Sequence, residues 1–150
     1  MKVVLTTVDQ ASVSINGKDV GKIGRGFLLL VGFTYGDNEE IVSKMVDKVL
    51  NLRVFPDEHD KINLSLSDVK GSILSISQFT LYANAKGSRR PSFTDALSPA
   101  EAEKLYDYFN KLFEERYGHL STGVFGADMK VSSINDGPFT LVLDSKELYQ

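Results

Sequence analysis

GSILSISQFTLYANA, residues 71–85, is the stretch that decides the fold. In an extended chain, Ile73, Ser75, Ser77, Phe79 and Leu81 share one side, and Leu74, Ile76, Gln78, Thr80 and Tyr82 the other, because strand side chains alternate. Apolar residues fall on both sides, which predicts a strand covered on both faces. Its outgoing end, Ser77-Gln78-Phe79-Thr80, brings hydroxyls, an amide and main-chain N–H groups to the point where a buried strand emerges into a loop. That loop, NAKGSRRPSF, gathers Lys86, Arg89 and Arg90 within five residues.

Upstream, residues 2–8 read as a strand and 11–15 as a second. Asn16-Gly17 offers the left-handed pair that a two-residue hairpin wants, with residues 20–24 as the returning partner. GFLLLVGFT, residues 26–34, is a continuous apolar run and predicts a central strand. Asp37 or Asn38 can then cap a helix whose first turn holds Glu39 and Glu40 at its positive end. Ile41, Val42, Met45, Val46, Val49 and Leu50 follow at helical spacing. Residues 52–55 predict a short strand, and PDEHDKINLSLSD a polar, turn-rich connection. Beyond the basic loop, Ser98-Pro99-Ala100-Glu101 has the form of a capping box with Pro at the first helical position. Leu105, Tyr108, Phe109, Leu112 and Phe113 give that second helix an apolar stripe, and Gly118 suits its end. Residues 124–134 read as extended in part, Asn135-Asp136-Gly137-Pro138 as a turn, and 139–143 as a last strand. The sum is an α/β fold, a mixed sheet with two helices packed on it.

At 150 residues the chain is read as one domain, 1–150, able to bury about two-thirds of its unfolded surface. It has no Cys, which excludes disulfides, thiolate nucleophiles and Cys-ligated metal. No basic leader with an apolar core and no membrane-length apolar run is present, so a soluble, cytoplasmic protein is expected. A net charge of −3 argues against non-specific wrapping of nucleic acid, while leaving room for a local basic patch on phosphates. His59 and His119 stand in no metal-binding pattern, and Asp57, Glu58 and Asp60 lack the spacing of a calcium loop, so no metal is expected. GKIGRG, residues 21–26, precedes a strand rather than a helix and reads as a hairpin corner, not a phosphate loop. Ser77 and Thr80 are well-placed hydroxyls with no visible base. Thr80 can be a nucleophile or simply a strand residue, and a cleft of N–H groups could stabilise an oxyanion without either. The Gly137-Pro138 bond is trans on base rates alone.

SQFTLYA at 77–83, RPSF at 90–93 and NDGP at 135–138 together closely resemble the D-aminoacyl-tRNA deacylase family. ASVSINGKDVGKIGRGFLLLVG, RVFPDEHDKINLSL, SPAEAEKLYDYF and TGVFGADMKVSSINDGP extend the likeness over nearly the whole chain. The resemblance implies a mostly antiparallel sheet curled into a barrel-like core, and hydrolysis of D-aminoacyl-tRNA, and of mischarged glycyl-tRNA, without metal or organic cofactor. It implies a homodimer with the active site at the interface. There a cis Gly137-Pro138 tip of one subunit enters the Ser77, Gln78, Phe79 and Thr80 pocket of the other and excludes L-residues. N–H groups near Phe79 and Thr80 would face the ester carbonyl. Phe125 and Met129 would hold the terminal adenine, and Lys86, Arg89 and Arg90 would meet the tRNA; neither DNA nor a membrane is expected as a partner. The neighbouring 2′-OH of the RNA would take part in the reaction, with a nucleophilic Thr80 as the alternative. Many members carry an Arg associated with securing the tip where this chain has Thr7, so here the tip is expected to be held differently. Two other readings compete: a non-catalytic nucleic-acid-binding module using the basic loop, and a structural dimer with a vestigial pocket.

Overall fold

The computed structural model describes residues 1–149. In chain order its elements are β1 (Lys2–Ile15), β2 (Lys18–Ile23), β3 (Gly26–Gly32), α1 (Glu39–Asn51), β4 (Arg53–Pro56), β5 (Ile62–Ser65) and β6 (Ser72–Ser77). A single 3-10 turn (Phe79–Tyr82) follows, then α2 (Pro99–Arg116), β7 (Leu120–Thr122), β8 (Lys130–Asp144) and the short α3 (Ser145–Tyr149). Six strands form one mixed, nearly closed barrel-like sheet, and β4 and β5 form a separate pair.

β1 is one strand where the sequence predicts two. The polar Asp9-Gln10 pair that suggested a break is exposed, and the register against β8 shifts there, so the pair is absorbed as a bulge. Asn16 and Gly17 take φ of 52° and 78°, the doubly left-handed turn expected of the hairpin. β2 and β3 follow one another along the same edge of β1, Ala11 facing Ile23 and Val8 facing Gly26. GKIGRG is therefore a kink within one long edge, not a hairpin corner.

Gly26 has φ +157°, and a Cβ there would lie 1.8 Å from the Ser72 carbonyl oxygen. Only glycine lets β3 come this close to the start of β6. The two strands run parallel from Gly26–Ser72 to Val31–Ser77, and β7 pairs in parallel with the other edge of β6. Ile73, Leu74, Ser75 and Ile76 are all buried, as the two-sided pattern predicts. One face of the sheet packs Leu5, Leu29 and Ile73 against Val42, Val46, Phe109 and Phe113 of α1 and α2. The other encloses a smaller cluster of Val8, Val13, Ile23, Leu74 and Ile76.

Asn38 caps α1, its side chain accepting from the Ile41 N–H at 2.9 Å. The capping box of α2 does not form as expected: the Ser98 hydroxyl donates to Glu101 Oε2 at 2.9 Å and makes no bond to the backbone. The polar connection contains a strand that was not expected, β5, whose turn is closed by the Asp57 carboxylate accepting from the N–H groups of His59 and Lys61. β8 runs through Asn135-Asp136-Gly137-Pro138 instead of stopping at a turn.

Gly26→Ala is expected to cost about 2–4 kcal/mol by thermal unfolding, because the clash is with backbone. Gly24→Ala, with nothing within 4 Å of its added Cβ, should stay within about 0.5 kcal/mol of the parent. Equal effects at both would contradict the close β3–β6 approach.

Candidate active site

The expected strand over residues 71–85 ends at Ser77. After the last ladder pair, Val31–Ser77, the Gln78 N–H still reaches the Val31 carbonyl at 2.7 Å. The chain then winds into the 3-10 turn, with Leu81 N–H on Gln78 O at 3.2 Å and Ala83 N–H on Thr80 O at 3.0 Å. Alternation is therefore lost beyond Ser77: Phe79 and Thr80 are exposed, while Tyr82 is buried and has the Lys2 ammonium over its ring at 4.8 Å. Room for the turn comes from Gly32, where a Cβ would sit 2.8 Å from the Gln78 carbonyl oxygen and 3.1 Å from Leu81 Cβ.

The strand is also pinned from the helix side. Ser75 O accepts from the Tyr106 hydroxyl at 2.8 Å and from the Gly123 N–H at 3.2 Å. Burial raises the Tyr106 pKa, so the phenol stays a neutral donor. The Tyr106 ring lies 6.0 Å from that of Phe125. Tyr106 was missing from the expected stripe, though its spacing from Ala102, Phe109 and Phe113 places it on the buried face.

Two cavities flank the strand end. The larger, about 450 Å³, is mostly apolar and includes Ser77, Phe79, Phe93, Leu97 and Phe125 in its walls. The smaller, about 250 Å³, includes Gln78, Met129 and Val131, and shares Ser77, Phe79 and Gly126 with the first. Ser77, Gln78 and Phe79 are thus brought together as a partition, with Phe125 on one side of it and Met129 on the other. Thr80 stands beside the partition and walls neither cavity. Its hydroxyl accepts from Gln78 Nε2 at 2.5 Å. Among the described residues no imidazole, carboxylate or amine is hydrogen-bonded to it.

Lys86, Arg89 and Arg90 are exposed and form no ion pair among the described residues. Their loop is closed at its base by reciprocal Asn84–Ser92 backbone bonds of 2.8 Å. Phe93, just beyond, meets Phe79 edge-on at 5.2 Å. His59 and His119 are exposed, and no three His, Cys, Asp or Glu side chains among the described residues are grouped to hold a metal ion. No helix among those residues is long and apolar enough to cross a membrane.

The Gly137-Pro138 peptide is cis, against the base-rate expectation and in agreement with the resemblance. Residues 136–139 of β8 face the single residue Thr7, so they bulge from the ladder as a tip. The Thr7 hydroxyl donates to the Asp136 carbonyl at 2.8 Å, and Thr6 and Thr140 share a hydroxyl contact at 3.2 Å just below. Gly137 and Pro138 are exposed and wall neither cavity of their own chain.

A family model described as D-Tyr-tRNA(Tyr) deacylase matches residues 4–144. A D-aminoacyl-tRNA deacylase of Lactobacillus acidophilus is 55% identical over 144 residues, 96% of this chain and 99% of the relative. One from Thermosipho melanesiensis is 49% identical over 150 residues, 99% and 100% of the two chains. Among solved structures, one titled c-Myc DNA Unwinding Element Binding Protein has a TM-score of 0.91 at 39% identity, covering 96% of this chain and 98% of its own. A probable eukaryotic D-amino acid tRNA deacylase shares the fold, with a TM-score of 0.82 at 21% identity over 95% and 97% of the two chains.

Gly32→Ala is expected to push the 3-10 turn off β3, giving amide chemical-shift changes concentrated at residues 78–83 in a folded protein. Shifts spread evenly over the sheet, or none at all, would show that Gly32 does not seat the turn.

Proposed function

The chain belongs to the D-Tyr-tRNA(Tyr) deacylase family, and from that premise we propose that it hydrolyses the ester of D-aminoacyl-tRNA, and of mischarged glycyl-tRNA, with the RNA assisting. Water adds to the ester carbonyl carbon, the bond to the ribose oxygen breaks, and that oxygen leaves as a hydroxyl. Free amino acid and intact tRNA result, so the reaction is proofreading of charged tRNA in the cytoplasm. The adjacent ribose 2′-OH moves the proton, and the protein orients the ester and stabilises the oxyanion.

The observation that carries this reading is the state of Thr80. A hydroxyl whose hydrogen bond comes from an amide, with no base beside it, is a poor nucleophile. Phe79 and Thr80 supply the first two N–H groups of the 3-10 turn, which have no carbonyl within the turn to bond. Aimed at the ester carbonyl, such donors favour the charge that develops there, and fixed orientation of ester and 2′-OH contributes further. Phe125 helps form the pocket for the terminal adenine, with Met129 nearby, and Lys86, Arg89 and Arg90 neutralise tRNA phosphates.

A second copy of the chain completes the site. Among the described residues β8 pairs only with β1, and its Val131, Ile134 and Val142 are 39%, 51% and 66% exposed. A free edge with exposed apolar residues calls for a partner. In the homodimer the Gly137-Pro138 tip enters the partner's cleft, where its carbonyls hold the substrate α-amino group and leave no space for an L side chain. Discrimination is then by exclusion, and Thr7 secures the tip through Asp136.

The test is hydrolysis of D-Tyr-tRNA and L-Tyr-tRNA side by side, with a chelator present. Rapid loss of the D-ester alone is expected. Loss of both esters would remove selection by the tip, and loss of neither would favour a non-catalytic binding module. Thr80→Ala is expected to keep turnover within about tenfold, whereas a lost nucleophile costs orders of magnitude. Joint replacement of Arg89 and Arg90 by Ala should weaken tRNA binding and lower its salt slope by roughly two.

A further inference from the structure

Tyr35 is 61% exposed, a large aromatic ring on the short connection between β3 and α1. The loop that carries it is fixed. Thr34 bridges to Ala96, its hydroxyl donates to the Asp95 carbonyl at 2.5 Å, and its N–H donates to Asp37 Oδ2 at 2.8 Å. Leu97 N–H meets Phe33 O at 3.0 Å, and Asp37 N–H meets Thr34 O at 3.2 Å. Exposed aromatic surface held on so rigid a mount contributes nothing to the core. It does form part of the wall of the larger cavity.

The aromatic rings of that cavity are ordered by depth. Phe125 is half-buried against Tyr106; Phe93 and Phe79 are 42% and 54% exposed; Tyr35, at 61%, stands at the mouth. A single base held against Phe125 leaves the Tyr35 face open. The segment that presents Phe93 leaves the cavity towards the loop of Lys86, Arg89 and Arg90, three exposed cations without ion pairs among the described residues. The acidic groups on the adjoining segments are Asp37, Asp95, Glu101 and Asp128; Asp37 is paired with the N-terminal ammonium, Asp128 with Lys130, and Glu101 is held by Ser98. Stacking faces beside unpaired cations are what a single-stranded polynucleotide requires, one base per ring with phosphates on the charges. An apolar peptide would use the rings and leave the cations idle.

Resting on the deacylase reading, we propose that Tyr35 is the stacking platform for the nucleotide immediately upstream of the terminal adenosine, so that the site grips two successive bases of the single-stranded 3′ end. The stacking face of the ring carries the contact, and the hydroxyl is dispensable.

The test compares wild type, Tyr35→Ala and Tyr35→Phe on two substrates, D-Tyr-tRNA and the minimal ester D-tyrosyl-adenosine, which lacks the upstream nucleotide. For Tyr35→Ala the ratio of KM on tRNA to KM on the minimal ester is expected to rise roughly tenfold, with kcat on tRNA retained. Tyr35→Phe should keep the wild-type ratio. An equal rise in KM on both substrates would place Tyr35 in the wall for the terminal base and overturn the proposal, as would no change on tRNA. A wild-type protein inactive on both esters would remove the deacylase reading itself, and the proposal with it; active wild type with an unmoved ratio removes the proposal alone.

Discussion

The site depends on where β6 stops pairing with β3. Gln78 makes the last bond to Val31 at 2.7 Å, and Gly32 then leaves the space into which the chain coils. Had the strand continued, Phe79 and Thr80 would have pointed to opposite faces of the sheet with their N–H groups in the ladder. Coiling instead turns both residues outward and frees the N–H groups at the start of the turn. Gly26 sets the same register from the other end, by letting β3 lie against Ser72. Two glycines at the ends of one apolar strand thus decide where the partition between the cavities stands.

The partition is held from behind by neutral contacts. Tyr106 and the Gly123 N–H share the Ser75 carbonyl, and the Tyr106 ring backs Phe125, so one helix residue supports both the strand end and the large cavity. No titrating group is bonded to Thr80 among the described residues. Such a site has little chemistry of its own and much capacity to orient, which suits a substrate that brings a hydroxyl next to its own scissile ester. On this account chirality is decided by space at a tip, and rate by placement.

Much of this was legible in the chain. The two-sided apolar pattern of residues 71–77, the run after Gly26 and the stripes of α1 and α2 reported the core, because burial imposes periodicity on each. The turn at 79–82 was not legible, since Phe79, Leu81 and Tyr82 continue an acceptable strand pattern and the reason for leaving it lies on β3. Thr7 is a similar case: its partner, Asp136, is 129 residues away, and nothing local to Thr6-Thr7-Val8 shows that a hydroxyl there holds a bulge. The motifs at 77–83 and 135–138 identified the family, whereas Tyr35 lies outside every one of them and emerged only from its exposure at the cavity mouth.

The central claim is that the protein places the ester and the RNA supplies the hydroxyl that moves the proton. It is tested most directly by single-turnover hydrolysis of D-Tyr-tRNA ending in 2′-deoxyadenosine, beside the same tRNA ending in adenosine. The account predicts that removing the 2′-OH slows the step about a hundredfold or more, the scale of a lost general acid–base group, while tRNA binding is kept. Equal rates on the two substrates would contradict it and move the 2′-OH's part in the reaction to a protein group, with Thr80 first among them.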